Sequence, residues 1–204
     1  MSPSDTPLGR RERAAATRAA ILSAAREAFS ARSYDDVGLR DVAARAGVTA
    51  AMVNRYFGTK EGLFREAVGT EDPTPPELAA TAREDFGRSL AALLLGGGHG
   101  PRRTGPDDAA PHDPLVLLLR SAGSPTARPT LRAYVEDNVL PGLTAYFGDD
   151  DAARERAVLV LALLLGADVL GPMLGVAPLE PGTAAPGSPL ERVLAGVLQA
   201  AADA

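Results

Sequence analysis

Thr49, Asn54 and Arg55 lie within one short run, LRDVAARAGVTAAMVNRYF, that opens close to Arg40. These are side chains suited to nucleic acid: an arginine fork matches guanine edges, a carboxamide matches adenine, and hydroxyls and cations hold phosphates. Other chemistries find less support. The chain has no cysteine, which excludes thiol nucleophiles, Cys-ligated zinc and disulfide frameworks. Its two histidines, His99 and His112, fall in the Gly/Pro-rich stretch GGGHGPRRTGPDDAAPHD, which offers no rigid partners for a metal. GGGHG has no strand before it and no Lys-Ser/Thr after it, so it reads as a linker rather than a phosphate-cradling loop. The acidic run 149–151 reads as the start of a helix rather than a cation site. No nucleophile–base pair or carboxylate cluster falls on one ordered face, so no catalytic residue, metal or cofactor is expected.

The elements that would position these side chains are helices. Aromatics make up 4% of the 204 residues and tryptophan is absent, so the core must come from Ala, Leu and Val, which favours an all-α fold. Residues 1–13 are Pro/Ser/Gly-rich and then basic, without an apolar period, and are expected to form a disordered arm whose Arg10, Arg11 and Arg13 add DNA contacts. Ile21, Leu22, Ala25 and Phe29 then line one helical face. Leu39, Val42, Ala43 and Ala46 predict a helix stopping at Gly47. Thr49 caps a second short helix that carries Val53 and Phe57 inward, and Thr59 caps a third through Leu63, Phe64, Ala67 and Val68. The layout is that of a helix-turn-helix, in which one helix crosses the backbone and the next enters the major groove. Charge agrees: residues 10–60 hold ten Arg/Lys against five Asp/Glu, and residues 71–204 hold ten against eighteen.

The run AAREAFSARSYDDVGLRDVAARAGVTAAMVNRYFGTKEGLF resembles the TetR family of bacterial regulators, above all in VAARAGVT followed by RYFGTKEGLF. The resemblance implies a three-helix DNA-binding domain at 14–70, a helical ligand-binding and dimerisation domain at 71–204, and DNA contacts from Arg40, Thr49, Ala50, Ala51, Asn54, Arg55, Tyr56 and Lys60. Lys60 is the only lysine in the chain, and it opens a helix, where free N–H groups already favour phosphate. Three positions depart from the family pattern. Gly38 stands where threonine is usual, Asn54 where tyrosine or histidine is usual, and Ser33 where glycine is usual. Asn54 therefore either vacates a phosphate contact or reads adenine edges.

Beyond residue 70 the pattern predicts helices near 77–95, 114–122, 125–147 with a kink at Pro141, 152–173 and 189–202. From Ala157 to Ala167 no side chain is polar, so that helix must be covered all round, and Asp168 interrupts it before a bilayer-spanning length of uncharged residues is reached. Together with the last helix it is expected to pair with its symmetry mates through Leu161, Leu165, Leu194 and Leu198. Leu90, Leu117, Leu118, Tyr134 and Met173, with Arg120 or Asp168 as a polar anchor, are candidates to line a pocket for a hydrophobic small-molecule effector, although plain core accounts for each as well. The expectation is a cytoplasmic, homodimeric, ligand-responsive repressor on a palindromic DNA operator, with no membrane partner and no enzymatic activity. The alternatives are a constitutive architectural DNA-binding protein and a small helical enzyme.

Overall fold

A computed structural model describes residues 7–69, 80–96, 114–148, 150, 152–180 and 182–203. The loop holding His99 and His112, Leu78, the prolines of 73–76 and the first six residues lie outside the described residues. Among the described residues every regular element is helical. In chain order these are α1 (Pro7–Ala31), α2 (Leu39–Arg45), α3 (Ala50–Phe57), α4 (Lys60–Val68), α5 (Phe86–Leu95), α6 (Pro114–Ser121), α7 (Arg128–Tyr134), α8 (Leu140–Phe147), α9 (Ala153–Asp168) and α10 (Pro189–Asp203). They divide into two compact units, the first from the N-terminal 70 residues and residues 101–132, the second from 71–100 and 133–204.

In the first unit α1 begins at Pro7, so Arg11 and Arg13 stand on its opening turns rather than in a disordered arm ending at residue 13. Proline at a helix start forfeits no hydrogen bond, and the Ala/Arg/Glu run that follows propagates helix well. Its missing apolar period reflects exposure, because residues 11–13 face solvent. Farther on, Ile21, Ala25 and Phe29 turn inward with Val42, Val53, Leu63 and Phe64 to make the core. Phe64 meets Phe29 edge-on at 4.8 Å and Tyr34 at 5.0 Å between ring centroids.

Residues 114–132 pack with the N-terminal helices. Leu115, Leu117 and Leu118 of α6 are buried there. Two serines fasten the join: Ser121 Oγ accepts the Tyr34 N–H at 3.1 Å, and the Ser124 hydroxyl donates to Asp35 Oδ1 at 3.0 Å while accepting the Ala127 N–H.

In the second unit the start of the helix predicted near 77 lies outside the described residues; what is described is an extended Ala82, a 3-10 turn at Arg83–Asp85 and then α5. The predicted 125–147 helix begins at α7 and passes through a π turn, Val135–Val139, directly before Pro141, whose missing N–H breaks the regular ladder. α5 and α10 approach so closely that a Cβ on Gly87 would lie 2.2 Å from the Ala195 carbonyl oxygen. Arg83 clamps the end of α10, donating to the Ala202 carbonyl at 2.8 Å and to the Phe147 carbonyl at 3.2 Å.

With its π continuation α9 spans Ala153–Met173, 21 residues with a window of mean hydropathy 1.8, long and apolar enough by length and composition to cross a membrane. Asp168 therefore does not shorten the segment below that length, as the sequence pattern suggests. Its inward side, Ala157, Val160, Leu161, Leu164 and Asp168, is buried within the unit.

At the base of α9 the Arg156 side chain is 8% exposed and is neutralised by Asp150, whose two carboxylate oxygens lie 2.7 and 2.6 Å from Nη2. The Arg156 guanidinium is the first cause holding the Asp150 carboxyl below its ordinary value. A carboxyl depressed in the folded state stabilises above its unfolded pKa, and that stabilisation is lost as pH falls through the folded value. Asp150→Asn is expected to lower the melting temperature at pH 7, with variant and wild type converging in acid. Equal melting at neutral pH would show that the pair contributes nothing.

Candidate nucleic-acid interface

The turn between α2 and α3 is set by Gly47, at φ +68°, a left-handed backbone that glycine adopts without strain. Around it the Val48 N–H reaches the Ala43 carbonyl at 2.9 Å and the Gly47 N–H the Ala44 carbonyl at 3.3 Å, the paired bonds of a Schellman helix end. Thr49 starts α3 by accepting the Met52 N–H at 3.3 Å, so its hydroxyl is engaged in the cap. Thr59 does the same for α4, accepting the Gly62 N–H at 3.1 Å. Gly62 lets α4 turn tightly under α3, since a Cβ there would lie 2.3 Å from the Phe57 carbonyl oxygen. Gly38 opens α2 from an extended backbone without a side chain, while Asp41 reaches back to the Gly38 N–H at 3.3 Å and so supplies half of a capping box.

On α3, Val53 and Phe57 point inward, which leaves Ala51, Asn54 and Arg55 exposed and Ala50 and Tyr56 half-buried. Arg40 and Thr49 are exposed, and Lys60 is half-buried at the first position of α4. The Arg55 guanidinium lies over the Tyr56 ring, 5.3 Å from its centroid. The Lys60 Nζ lies over the Tyr34 ring at 4.3 Å. Cations here divide into two groups. Arg18 pairs with Glu66, Arg32 with Asp41 at 3.3 Å and Arg45 with Glu27 at 3.7 Å, whereas Arg40, Arg55 and Lys60 have no carboxylate within ion-pair distance among the described residues. The helix-turn-helix thus carries unpaired positive charge, as do Arg11, Arg13 and Arg65 on the flanking helices, which suits a polyanion.

Tyr34 is buried and also forms the floor beneath Lys60. Burial is the main cause that pushes its phenol well above the ordinary value, with the nearby Glu61 carboxylate adding to it, although the buried hydroxyl closes no hydrogen bond of regular geometry. The Glu61 carboxyl is held below its ordinary value, first by its own backbone N–H and then by the Thr59 hydroxyl.

The pocket candidates fall in both units. Leu117 and Leu118 are buried and Arg120 exposed in the first; Leu90, Tyr134 and Asp168 are buried and Met173 half-buried in the second. Of the expected contacts between copies, Leu161 and Leu198 belong instead to the subunit's own core, 7% and 0% exposed. A helix apolar on every side carries no polar face to mark which side turns inward. Leu165 and Leu194 are half-buried. The apolar residues that do reach solvent are Val158, Leu159 and Leu170 on α9 and its continuation, Leu174 and Val176 just beyond, and Val193 and Val197 on α10. Among the described residues no group of three His, Asp or Glu is placed to hold a metal ion.

Two stretches of the chain match known families. A family model described as bacterial regulatory proteins, tetR family, matches residues 21–67, and one described as a tetracyclin repressor-like C-terminal domain matches residues 84–201, more than half of the chain. An HTH-type transcriptional repressor of Mycobacterium tuberculosis is 37% identical over 100 residues, which cover 45% of this chain and 51% of that protein. The chain thus spans about half the length of the curated relatives it matches. A TetR-family regulator from Streptomyces coelicolor has the same fold at 23% identity and TM-score 0.52, covering 92% of this chain and 95% of that one. So does NalD, the secondary repressor of the MexAB-OprM multidrug efflux pump in Pseudomonas aeruginosa, at 24% identity and TM-score 0.54, covering 90% of this chain and 95% of that one.

Proposed function

The chain belongs to the tetR family of bacterial regulatory proteins, and from that premise we propose that it is a DNA-binding transcriptional repressor acting in the cytoplasm. The observation that carries this reading is the group of cations without an ion-pair partner among the described residues, Arg40, Arg55 and Lys60, that lines one helix-turn-helix, where Arg45 is paired with Glu27. Arg40 and Arg55 read base edges from exposed positions, Asn54 either reads adenine edges or vacates a phosphate contact, Lys60 holds a phosphate, and Thr49, Ala50, Ala51 and Tyr56 complete the contact surface. Two copies joined by the exposed faces of α9 and α10 present two such surfaces to a palindromic operator. A hydrophobic effector lowers operator affinity by binding the DNA-incompetent state better.

Binding to duplex DNA from the protein's own upstream region should weaken steeply as salt rises, because counterions leave each neutralised phosphate. Binding that is absent at low salt, or indifferent to salt, would refute the reading. Arg40→Ala and Arg55→Ala should each cost about 1–3 kcal/mol at particular operator positions, whereas Lys60→Ala should weaken all sequences alike. Asn54→Tyr decides the role of that position: tighter binding with unchanged preference marks a vacated phosphate contact, and a changed preference marks a base reader. A thermal-shift screen with apolar metabolites, read beside operator release, tests for the effector.

A further inference from the structure

We propose that Tyr34 is a positioning residue for the single lysine of the chain, holding the Lys60 ammonium in place for a phosphate through the face of its ring. The inference rests on the DNA-binding reading above and names a device within that site. An ammonium over an aromatic face is attracted by the ring's quadrupole, and lysine otherwise swings on a flexible four-carbon stem. Here Nζ lies 4.3 Å from the Tyr34 centroid. The ring itself is immobile: it is 2% exposed, stacked on Phe29 at 6.0 Å, met edge-on by Phe64 at 5.0 Å, and its backbone N–H is held by Ser121 of α6. No carboxylate competes for Lys60 at ion-pair distance among the described residues. A ring beneath the ammonium occupies one side of it and leaves N–H donors on the other side for an anion, which a carboxylate partner would not do. The attraction is to the face of the ring and does not use the hydroxyl, which lies beside the Glu61 carboxylate.

Because Lys60 is the only lysine, reductive methylation with 13C-formaldehyde labels one side chain besides the N-terminus, and its methyl signal reports the ring directly. That signal should lie upfield of free dimethyl-lysine in the wild type and in Tyr34→Phe, which keeps the ring. In unlabelled protein Tyr34→Phe should bind DNA as the wild type does. Tyr34→Leu, checked for folding by circular dichroism, should bind about 2- to 5-fold more weakly. Lys60→Ala should make the log–log salt dependence shallower by about 0.9 for each phosphate it leaves unneutralised. In that background Tyr34→Leu should cost nothing further. An unshifted methyl signal in a wild type that binds DNA would overturn this proposal alone, as would losses from Tyr34→Leu and Lys60→Ala that multiply. If Tyr34→Leu does not fold, the labelled wild type and Tyr34→Phe still decide it. A wild type that binds no duplex at low salt would defeat the regulator reading, whatever the methyl signal shows.

Discussion

Leu159→Asp on α9 and Val193→Asp on α10 should each convert a dimer into monomers at micromolar concentration and lower operator affinity by about 10²–10⁴-fold, the advantage that linking two binding heads supplies. Both side chains are about half or more exposed, 48% and 64%, so a charge there leaves the subunit's own core intact. On α9, Val158, Ala162, Gly166 and Leu170 fall four residues apart and so share one side, with Ala162 and Gly166 small enough for close approach. An exposed apolar strip of this extent marks an interaction surface. Leu161→Asp, by contrast, places the charge in the core and should unfold the second unit rather than separate copies. Sedimentation with circular dichroism distinguishes the two cases. A Leu159→Asp protein that stays helical, sediments as the wild type does and keeps its operator affinity would exclude this face.

Gly87→Val should lower stability by about 1–3 kcal/mol or more, the cost of forcing atoms into filled space. A Cβ at this position meets backbone rather than a movable side chain: the Ala195 carbonyl oxygen at 2.2 Å and the Gln199 nitrogen at 2.7 Å. The two helices can only move apart, and the bond from the Gly87 N–H to Gln199 Oε1 at 2.9 Å goes with them. Gln199 also donates to the Arg83 carbonyl, so displacement of α10 reaches the Arg83 clamp at its end. Since α10 presents Val193 and Val197, the variant should lose DNA affinity together with its thermal midpoint. An unchanged midpoint in calorimetry would mean that the helices are not seated as described.

The helix-turn-helix was legible because its boundaries are written in local chemistry. Gly47 terminates α2, Thr49 and Thr59 cap α3 and α4, and the spacing of Val53 and Phe57 sets which side of α3 faces outward. The start of α1 was not legible, because its first turns are exposed and carry no apolar period. On α9 the apolar run fixed that the helix is covered but not which residues its own subunit covers, and Leu161 fell on the inner side. Pairings distant in sequence left no local trace: nothing near Lys60 points to Tyr34, and nothing near Ser121 points to the turn after α1. Gly62 and Gly87, each inside a predicted helix, were the signal of close approach that sequence did offer.

Ser121 and Ser124 join to the N-terminal helices a stretch that the ribosome makes much later. Residues 7–69 leave the peptidyl-transferase centre while α6, whose Leu115, Leu117 and Leu118 belong to the same unit, does not yet exist. At about 5–20 residues per second, several seconds of translation separate Val68 from Ala127. During that interval the nascent head lacks part of its wall, and its N-terminal helices show apolar surface to whatever is near. The protein thus has a vectorial constraint on its birth: its helix-turn-helix end is made first but finished only when the middle of the chain arrives.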